Sequence, residues 1–288
     1  MTLNNDLSNY SSPLTEDIWC LINEASCELG ADAQRHFFEK GYAVGPARLG
    51  HDVITELLAD LDHLMQPGHQ GNHLWHEYHT NESTNPDTIL FHALGAWRIK
   101  RSFHDLLWHP AITIPARQLL SSPIHFWHDQ LFCKPARHGG VVAWHQDYSY
   151  WTRTTPMQHL TCWVALEDAS IDNGCLHYIP GSHKWDLLPV TGLADDMASI
   201  KRVLNGEQWE TFQSPEAVEL KAGQVVFHHP LAIHGSFENR TGQSRKAAVV
   251  NMIGDTVTSD TNEPLLKGIP VIPTGNLLRG NFFPLLRA

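Results

Sequence analysis

The feature that most constrains the fold is a series of short β-rich segments that begins after Ser122. The segments cover residues 125–134, 141–150, 160–168, 175–179, 217–221, 224–229 and 245–253. Turn sequences separate them, at Gly139-Gly140, Asp172-Asn173-Gly174, Pro180-Gly181-Ser182 and Lys221-Ala222-Gly223. Many short strands with such turns predict a sandwich or jelly roll. Asn173-Gly174 in particular indicates a hairpin turn.

The part of the chain before Ser122 predicts helices. Helices are expected over 17–29, 32–40, 50–65, 103–108 and 111–120, with a short strand at 42–44 and an irregular loop over 66–90. In residues 50–65 the apolar residues recur with helix spacing and form one stripe, which indicates a helix packed on a core.

These patterns predict a flexible N-terminal tail over residues 1–14 and a single domain over residues 15–288. Within the domain we expect a helical part over 15–122, a β core over 123–255 and a C-terminal extension over 256–288. An insertion over 184–216 interrupts the strands; it forms either a lid over a site or a surface excursion. The apolar end of the extension covers either the core or a dimer contact.

Composition excludes several classes of function. The 288 residues include 31 acidic and 20 basic side chains, a formal charge of −11. This balance argues against binding to nucleic acid or to an anionic membrane surface. No apolar run approaches the ~18 residues of a membrane helix, and the first residues lack signal-peptide features, so a cytoplasmic protein is expected. The five cysteines are scattered without a C-x-x-C motif, which predicts reduced, buried thiols.

His145-Gln146-Asp147 is the first candidate for chemistry. Alternate residues of a strand point to the same face, so His145 and Asp147 would present their side chains together. Two histidines and a carboxylate suit Fe(II) and leave coordination positions open. Because a chain with 20 histidines contains such a motif by chance, it is weak alone. His228, His229 and His234 compete as the third ligand, and Pro230 disfavours a continuous central strand through the first two.

Arg245 follows His234 by eleven residues, with a polar turn sequence between them. If the two flank a hairpin, they lie opposite one another, with Cβ atoms ~4.5–5.5 Å apart. The planar guanidinium could then hold the carboxylate of a metal-bound co-substrate such as 2-oxoglutarate. Ser236 would share this face and add a hydroxyl. Alternatively, Arg245 is a solvent-exposed charge at a strand end.

Several motifs together resemble a known family in order and spacing. They are Lys134-Pro135, Trp144-His145-Gln146-Asp147, Trp163-Val164-Ala165-Leu166-Glu167-Asp168, Asp172-Asn173-Gly174-Cys175-Leu176, Ile179-Pro180-Gly181-Ser182-His183-Lys184, the run from Gly223 to Ser236, and Asn239 with Arg245-Lys246-Ala247. Residues 37–44 add a weaker match. The chain thereby resembles the phytanoyl-CoA dioxygenase family of Fe(II)- and 2-oxoglutarate-dependent oxygenases.

The resemblance implies a mainly β fold with flanking helices, a double-stranded β-helix (a cupin-like jelly roll) with N-terminal helices packed on one side. It implies that Fe(II) is held by His145, Asp147 and His234. It further implies that 2-oxoglutarate is held by Arg245, with Lys134, Ser236 and Trp163 nearby. The co-substrates would be 2-oxoglutarate and O₂, and the products from 2-oxoglutarate succinate and CO₂.

The resemblance also bears on the reaction. Halogenating relatives have a small residue where this chain has Asp147, so a carboxylate favours hydroxylation. The substrate is expected to be a small metabolite or natural-product intermediate, with Trp144, Tyr148, Tyr150 and Arg153 as candidate contacts. A monomer or homodimer is expected. Two alternatives stay open: a metal-dependent jelly-roll isomerase or hydrolase that does not use 2-oxoglutarate, and a non-catalytic binding or sensor domain.

Overall fold

In a computed structural model that describes residues 6–15, 19–194 and 196–288, the α-helices lie mainly before Ile124 and the strands mainly after it. The strands are β1 (Tyr42–Val44), β2 (Glu77–His79), β3 (Phe91–Leu94), β4 (Ile124–Lys134), β5 (Val142–His145), β6 (Thr154–Thr155), β7 (His159–Ala165), β8 (Leu176–Tyr178), β9 (Glu216–Val218), β10 (Val225–His228), β11 (His234–Ser236), β12 (Arg245–Gly254), β13 (Thr258–Ser259) and β14 (Leu285–Arg287). The α-helices are α1 (Ala31–Lys40), α2 (His51–Leu64), α3 (Arg101–Leu106), α4 (Pro110–Leu120) and α5 (Gly206–Phe212).

Two antiparallel sheets form the core. The large sheet has the order β1-β10-β7-β12-β4-β3-β2, and β14 also pairs with β4. The small sheet has the order β5-β11-β8-β9. From β4 to β12 the chain passes repeatedly from one sheet to the other, which is the topology of a double-stranded β-helix. The predicted fold class, a jelly roll with flanking helices, is therefore confirmed.

The N-terminal helices cover one face of the large sheet, as predicted. On α2 the buried side chains Ile54, Leu57, Leu61 and Leu64 recur at helix spacing and pack in one apolar cluster with α3, α4 and the sheet. In β7 every side chain is buried, but alternate residues face opposite ways. Cys162 and Val164 pack against the helices, whereas Trp163 faces the small sheet.

Several local predictions were wrong, and the loop predicted over 66–90 contains the short strand β2. The structure does not describe residues 16–18, and after them the segment predicted as a helix over 17–29 contains turns and a 3-10 helix at Glu24–Cys27. Asn173-Gly174 does not form a hairpin, because the flanking strands β7 and β8 lie in different sheets. Instead, Gly174 has φ +84° and ends a 3-10 helix at Ile171–Asn173, a conformation that glycine adopts without strain.

The outer segments contact the core. In the described part of the predicted tail, Leu7 is fully buried and Asp6 forms an ion pair with Arg98. The insertion over 184–216 contacts the small sheet. The Ala143 amide of β5 donates to the carbonyl of Leu193 in the insertion at 2.8 Å. The C-terminal extension ends in β14, which adds to the large sheet. Four cysteines are buried and free, whereas Cys20 is exposed.

Within the part of the chain that the structure describes, no helix has the length and apolar character needed to cross a membrane.

Candidate metal centre and co-substrate cavity

Two strands of the small sheet bring the predicted metal ligands together. His145 and His234 are cross-strand partners on β5 and β11, and their ring centroids lie 4.2 Å apart. Strand β5 ends at His145, but Gln146 keeps an extended backbone. The alternation of side chains therefore continues to Asp147, the first residue of a 3-10 helix. Asp147 Oδ1 lies 3.3 Å from His145 Nε2 and 3.6 Å from His234 Nε2.

Hydrogen bonds to the backbone orient both imidazoles for metal binding. His145 Nδ1 lies 2.8 Å from the Ala143 carbonyl, and His234 Nδ1 lies 3.0 Å from the Ala232 carbonyl. A carbonyl only accepts, so each Nδ1 carries the proton and each Nε2 presents its lone pair. Both Nε2 atoms and Asp147 Oδ1 lie within 4.8 Å of one another. This donor set fits Fe(II).

The electrostatics keep these groups in the state that a metal requires. Burial raises the pKa of Asp147, but the polar groups around the carboxylate, including the hydrogen bond with His228 at Oδ2, outweigh burial and hold this pKa well below its ordinary value. Burial, together with the imidazoles of His145 and His228, lowers the pKa of His234 well below its ordinary value. At neutral pH the site therefore offers an ionised carboxylate and a neutral imidazole, both needed for coordination.

The structure also separates the three histidines that competed as the third ligand. His234 faces His145 and Asp147. His228 lies on the large sheet, and its Nε2 is 3.0 Å from Asp147 Oδ2, the oxygen directed away from the other two imidazoles. His229 points elsewhere, since its Nδ1 accepts from the Leu231 amide and its ring lies near Phe37.

Arg245 reaches this site by a route that the sequence did not predict. The expected hairpin between His234 and Arg245 is wrong, because β11 belongs to the small sheet and β12 to the large one. The segment between them crosses from one sheet to the other. Arg245 instead pairs with Lys134 of β4, and it shares a cavity with the metal ligands because the two sheets face each other.

The environment of Arg245 fits an anionic ligand. The residue is 1% exposed, and its guanidinium carbon lies 5.4 Å from the centre of the Trp163 ring. Its Nη2 is 3.5 Å from Ser236 Oγ, whereas Nε has no hydrogen-bond partner among the described residues. No carboxylate of residues 6–15, 19–194 or 196–288 forms an ion pair with it. Burial lowers the pKa of Arg245 to about 10, so it remains a cation at neutral pH.

Lys134 supports the neighbouring backbone. It is fully buried, and its Nζ donates to Ser236 Oγ at 2.6 Å and to the carbonyls of Ser236 and Phe237 at 3.1 and 2.6 Å. Burial, with the charge of Arg245, lowers the pKa of Lys134 well below its ordinary value. Lys134 thus holds Ser236 beside Arg245 and does not itself line the cavity.

Two cavities meet at the metal ligands. The smaller contains Asp147, His234, Trp163, Ser236 and Arg245. The larger opens beside it. Four residues line both cavities: Gln130, Phe132, His145 and Asp147. A metal held at this point would therefore contact ligands in each cavity.

Only two of the four residues predicted to contact substrate line the larger cavity. Tyr150 and Arg153 do so, although Arg153 donates to the carbonyls of Pro264 and Leu265 at 2.9 and 2.7 Å. Trp144 alternates with His145 and faces the opposite way, into an apolar cluster. Tyr148 donates its hydroxyl to the Thr154 carbonyl and lines neither cavity.

Other cavity residues were not found from the sequence. The larger cavity is also lined by Glu77, His92, Leu94, Trp127, His128, Thr154, Leu193, Leu265 and Leu266. In the smaller cavity, Thr161 and Asn251 were missed. Both could have been found by extending the period-2 alternation from Trp163 along β7 and from Arg245 along β12.

Comparison with known proteins agrees with this geometry. Residues 37–247 match the family model described as phytanoyl-CoA dioxygenase, which is well over half of the chain. The chain belongs to the phytanoyl-CoA dioxygenase family. The site residues from Lys134 to Arg245 lie inside the matched range.

Sequence identity to individual relatives and to solved structures is low, between 23% and 36% in three examples. A phytanoyl-CoA dioxygenase of Arabidopsis thaliana is 36% identical over 124 residues, which are 40% of this chain and 39% of that relative. The L-proline trans-4-hydroxylase of Streptomyces griseoviridis is 26% identical over 65% of this chain and 81% of its own length. A non-heme alpha-ketoglutarate-dependent carbocyclase from nogalamycin biosynthesis has a TM-score of 0.72 at 23% identity, covering 90% of this chain and 96% of that structure.

Proposed function

We propose that this chain is an Fe(II)- and 2-oxoglutarate-dependent dioxygenase that hydroxylates an unactivated C–H bond of a small metabolite or natural-product intermediate. The proposal rests mainly on the surroundings of Arg245. A buried guanidinium without a carboxylate partner shares one cavity with a His-Asp-His group. An isolated buried charge is costly, and a carboxylate on a metal-bound co-substrate would supply the missing partner.

In this proposal each site residue has a defined part. His145, Asp147 and His234 hold the iron, and Arg245 binds the distal carboxylate of 2-oxoglutarate through two charge-assisted hydrogen bonds. Ser236 adds a hydroxyl beside the guanidinium, and Lys134 holds Ser236 in place. Trp163 packs against the guanidinium face and keeps water from it.

The iron, when bound, supplies the activation of O₂ with 2-oxoglutarate as reductant, so that succinate, CO₂ and an alcohol result. The protein supplies orientation. The smaller cavity takes the co-substrate and the larger one the substrate. Because both cavities share His145 and Asp147, the C–H bond to be oxidised would lie against the metal. Asp147 fills one coordination position with a carboxylate, which favours hydroxylation over halogenation.

The experiment is an anaerobic titration of the protein with Fe(II) and 2-oxoglutarate, monitored by the visible metal-to-ligand charge-transfer band. The wild type is expected to develop the band. Arg245→Ala should weaken 2-oxoglutarate binding by about 30-fold or more, since truncating a buried charge partner costs 2 kcal/mol or more. The matched control is Lys246→Ala, whose ammonium pairs with Asp62 on the opposite face; its affinity should equal that of the wild type.

Two results would favour the alternatives. Metal binding without a charge-transfer band would indicate a metal-dependent jelly-roll isomerase or hydrolase. A normal band without succinate release for any tested small molecule would indicate a binding or sensor domain. Equal 2-oxoglutarate affinity in the wild type and Arg245→Ala would refute the role given to Arg245.

The proposal extends to the whole molecule. The acidic balance supports a small-molecule substrate over nucleic acid or an anionic membrane surface. Residues 15–288 are proposed to act as one domain, which is supported by the pairing of the C-terminal strand β14 with β4. We further propose that the protein acts in the cytoplasm as a monomer or homodimer.

A further inference from the structure

A row of polar side chains crosses four neighbouring strands of the large sheet beside the metal ligands. His228 of β10 pairs with Thr161 of β7, Thr161 pairs with Asn251 of β12, and Asn251 pairs with His128 of β4. All four residues are buried. A polar row in a sheet interior requires hydrogen-bond partners, and Asp147 is the partner at one end of this row.

The two oxygens of Asp147 have different surroundings. Oδ1 faces the Nε2 atoms of His145 and His234, at 3.3 and 3.6 Å. Oδ2 points to the large sheet, where it accepts a hydrogen bond from Thr161 Oγ1 at 2.6 Å and lies 3.0 Å from His228 Nε2. One oxygen is therefore directed at the metal position, and the other is directed at hydrogen-bond donors.

Thr161 alone does not secure Oδ2. Its hydroxyl has one proton but two acceptors, Asp147 Oδ2 and Asn251 Oδ1, the latter at 2.9 Å. The orientation of Asn251 is consistent with this sharing, since its Nδ2 lies 3.3 Å from His128 Nδ1. A hydroxyl donates to one acceptor at a time, so a second donor is needed to hold the carboxylate continuously.

Tyr178 determines that His228 is this second donor. The Tyr178 hydroxyl lies 2.9 Å from His228 Nδ1, its one hydrogen-bond partner in the described part of the chain. Because Tyr178 is fully buried, its proton has to be donated, and Nδ1 is the acceptor. The imidazole proton is then on Nε2, which faces Asp147. The Tyr178 ring is itself fixed by stacking on Tyr42, with ring centroids 4.4 Å apart and planes at 11°.

We infer that His228, oriented by Tyr178, is a positioning residue that fixes Asp147 so that it offers the metal one oxygen only. A carboxylate free to turn could bind the metal through both oxygens and occupy a position that a chelating co-substrate and O₂ require. The inference rests on the proposed role of Asp147 as a metal ligand. It concerns His228 and Tyr178, which lie outside the His145-Asp147-His234 group.

The first test compares His228→Phe with His228→Gln in anaerobic titrations with Fe(II) alone and then with 2-oxoglutarate. Phe removes the donor and is expected to weaken Fe(II) binding by about 10-fold or more, the usual effect of losing a partner behind a metal ligand, and to shift the charge-transfer band. Gln places an amide N–H near the position of Nε2. In the same titration its Fe(II) affinity should be within about 3-fold of that of the wild type. A structural role alone would not distinguish the two replacements in this way.

The second test uses a matched pair of tyrosines. Tyr178→Phe keeps the ring but frees His228 to move its proton to Nδ1, so Fe(II) binding should weaken and the band should shift. Tyr42→Phe makes the same chemical change in the stacked neighbour, whose hydroxyl donates to Glu216 instead, and should bind Fe(II) as the wild type does. This pair decides the question even if His228→Phe does not fold.

The outcomes separate this inference from the proposed function. If the wild type binds Fe(II) and 2-oxoglutarate, but Tyr178→Phe and folded His228→Phe have wild-type or tighter affinity and an unshifted band, the positioning role is wrong and the proposed function stands. If the wild type binds no Fe(II), the proposed function fails and this inference fails with it.

Discussion

At the scale of single residues, the burial of Arg245 is the most informative property of the chain. A guanidinium that is 1% exposed and lies beside the buried Lys134 is electrostatically unfavourable in the absence of an anion. A side chain that costs stability in the free protein is best explained by a ligand that it binds.

This view predicts that Arg245→Met stabilises the ligand-free protein while it weakens 2-oxoglutarate binding. Replacing a buried, unpaired charge by an apolar side chain of similar volume should raise the melting temperature by about 2 °C or more. Differential scanning fluorimetry without metal or co-substrate measures the effect. Lys246→Met, which removes an ion-paired lysine, should not raise it. A melting temperature that falls equally in both variants would contradict this explanation.

At the scale of secondary-structure elements, the sequence predicted the longest strands well, missed short strands such as β2, β3 and β14, and predicted strand pairing poorly. Strands β4, β7 and β12 lie within two or three residues of the segments predicted from composition and turns. The predicted hairpin between His234 and Arg245 was wrong. The polar segment after Ser236 has the composition of a hairpin turn, but it crosses from one sheet to the other. Local sequence encodes alternation and turns, whereas strand pairing depends on packing between distant segments. His228 and Tyr178 were overlooked as a pair for the same reason.

The C-terminal extension is the element whose role was least predictable. Leu265 and Leu266 line the larger cavity, and Arg153 holds their segment through the carbonyls of Pro264 and Leu265. Arg153, predicted as a substrate contact, thus shapes the cavity by fastening its wall.

Arg153→Ala is therefore expected to accelerate amide hydrogen exchange in residues 260–270, because two hydrogen bonds that hold this segment are lost. Its affinity for 2-oxoglutarate should stay within about 2-fold of wild type, since the smaller cavity is untouched and the change in binding free energy is small. Mass spectrometry of exchanged peptides measures the first effect. Unchanged exchange in this segment would show that Arg153 does not fasten it.

At the scale of the whole molecule, the site joins two sheets. The small sheet carries His145 and His234, whereas the large sheet carries Arg245 and the donors to Asp147. A metal with a co-substrate would link one sheet to the other. The family motifs in the sequence pointed to these candidate residues, but the facing sheets explain why residues so far apart in the chain share one cavity.

The protein should therefore be stabilised more by metal and co-substrate together than by either alone. With Mn(II), which resists oxidation, and 2-oxoglutarate at 100 times its dissociation constant, the added stability is about 2.7 kcal/mol. This corresponds to a rise in melting temperature of roughly 5 °C over metal alone. Arg245→Ala should show the full metal effect, with the second increment reduced to about 1 kcal/mol or less, because its affinity for 2-oxoglutarate is about 30-fold lower. If the wild type lacks that increment, the metal site and the cavity around Arg245 do not bind one co-substrate together.

A crystal structure of the anaerobic complex with Fe(II) and 2-oxoglutarate would show the proposed metal and co-substrate site itself. We expect iron bound by His145 Nε2, Asp147 Oδ1 and His234 Nε2, with the distal carboxylate of 2-oxoglutarate on the Arg245 guanidinium. Iron bound elsewhere, or 2-oxoglutarate absent from the cavity while Arg245 remains unpaired, would contradict this expectation.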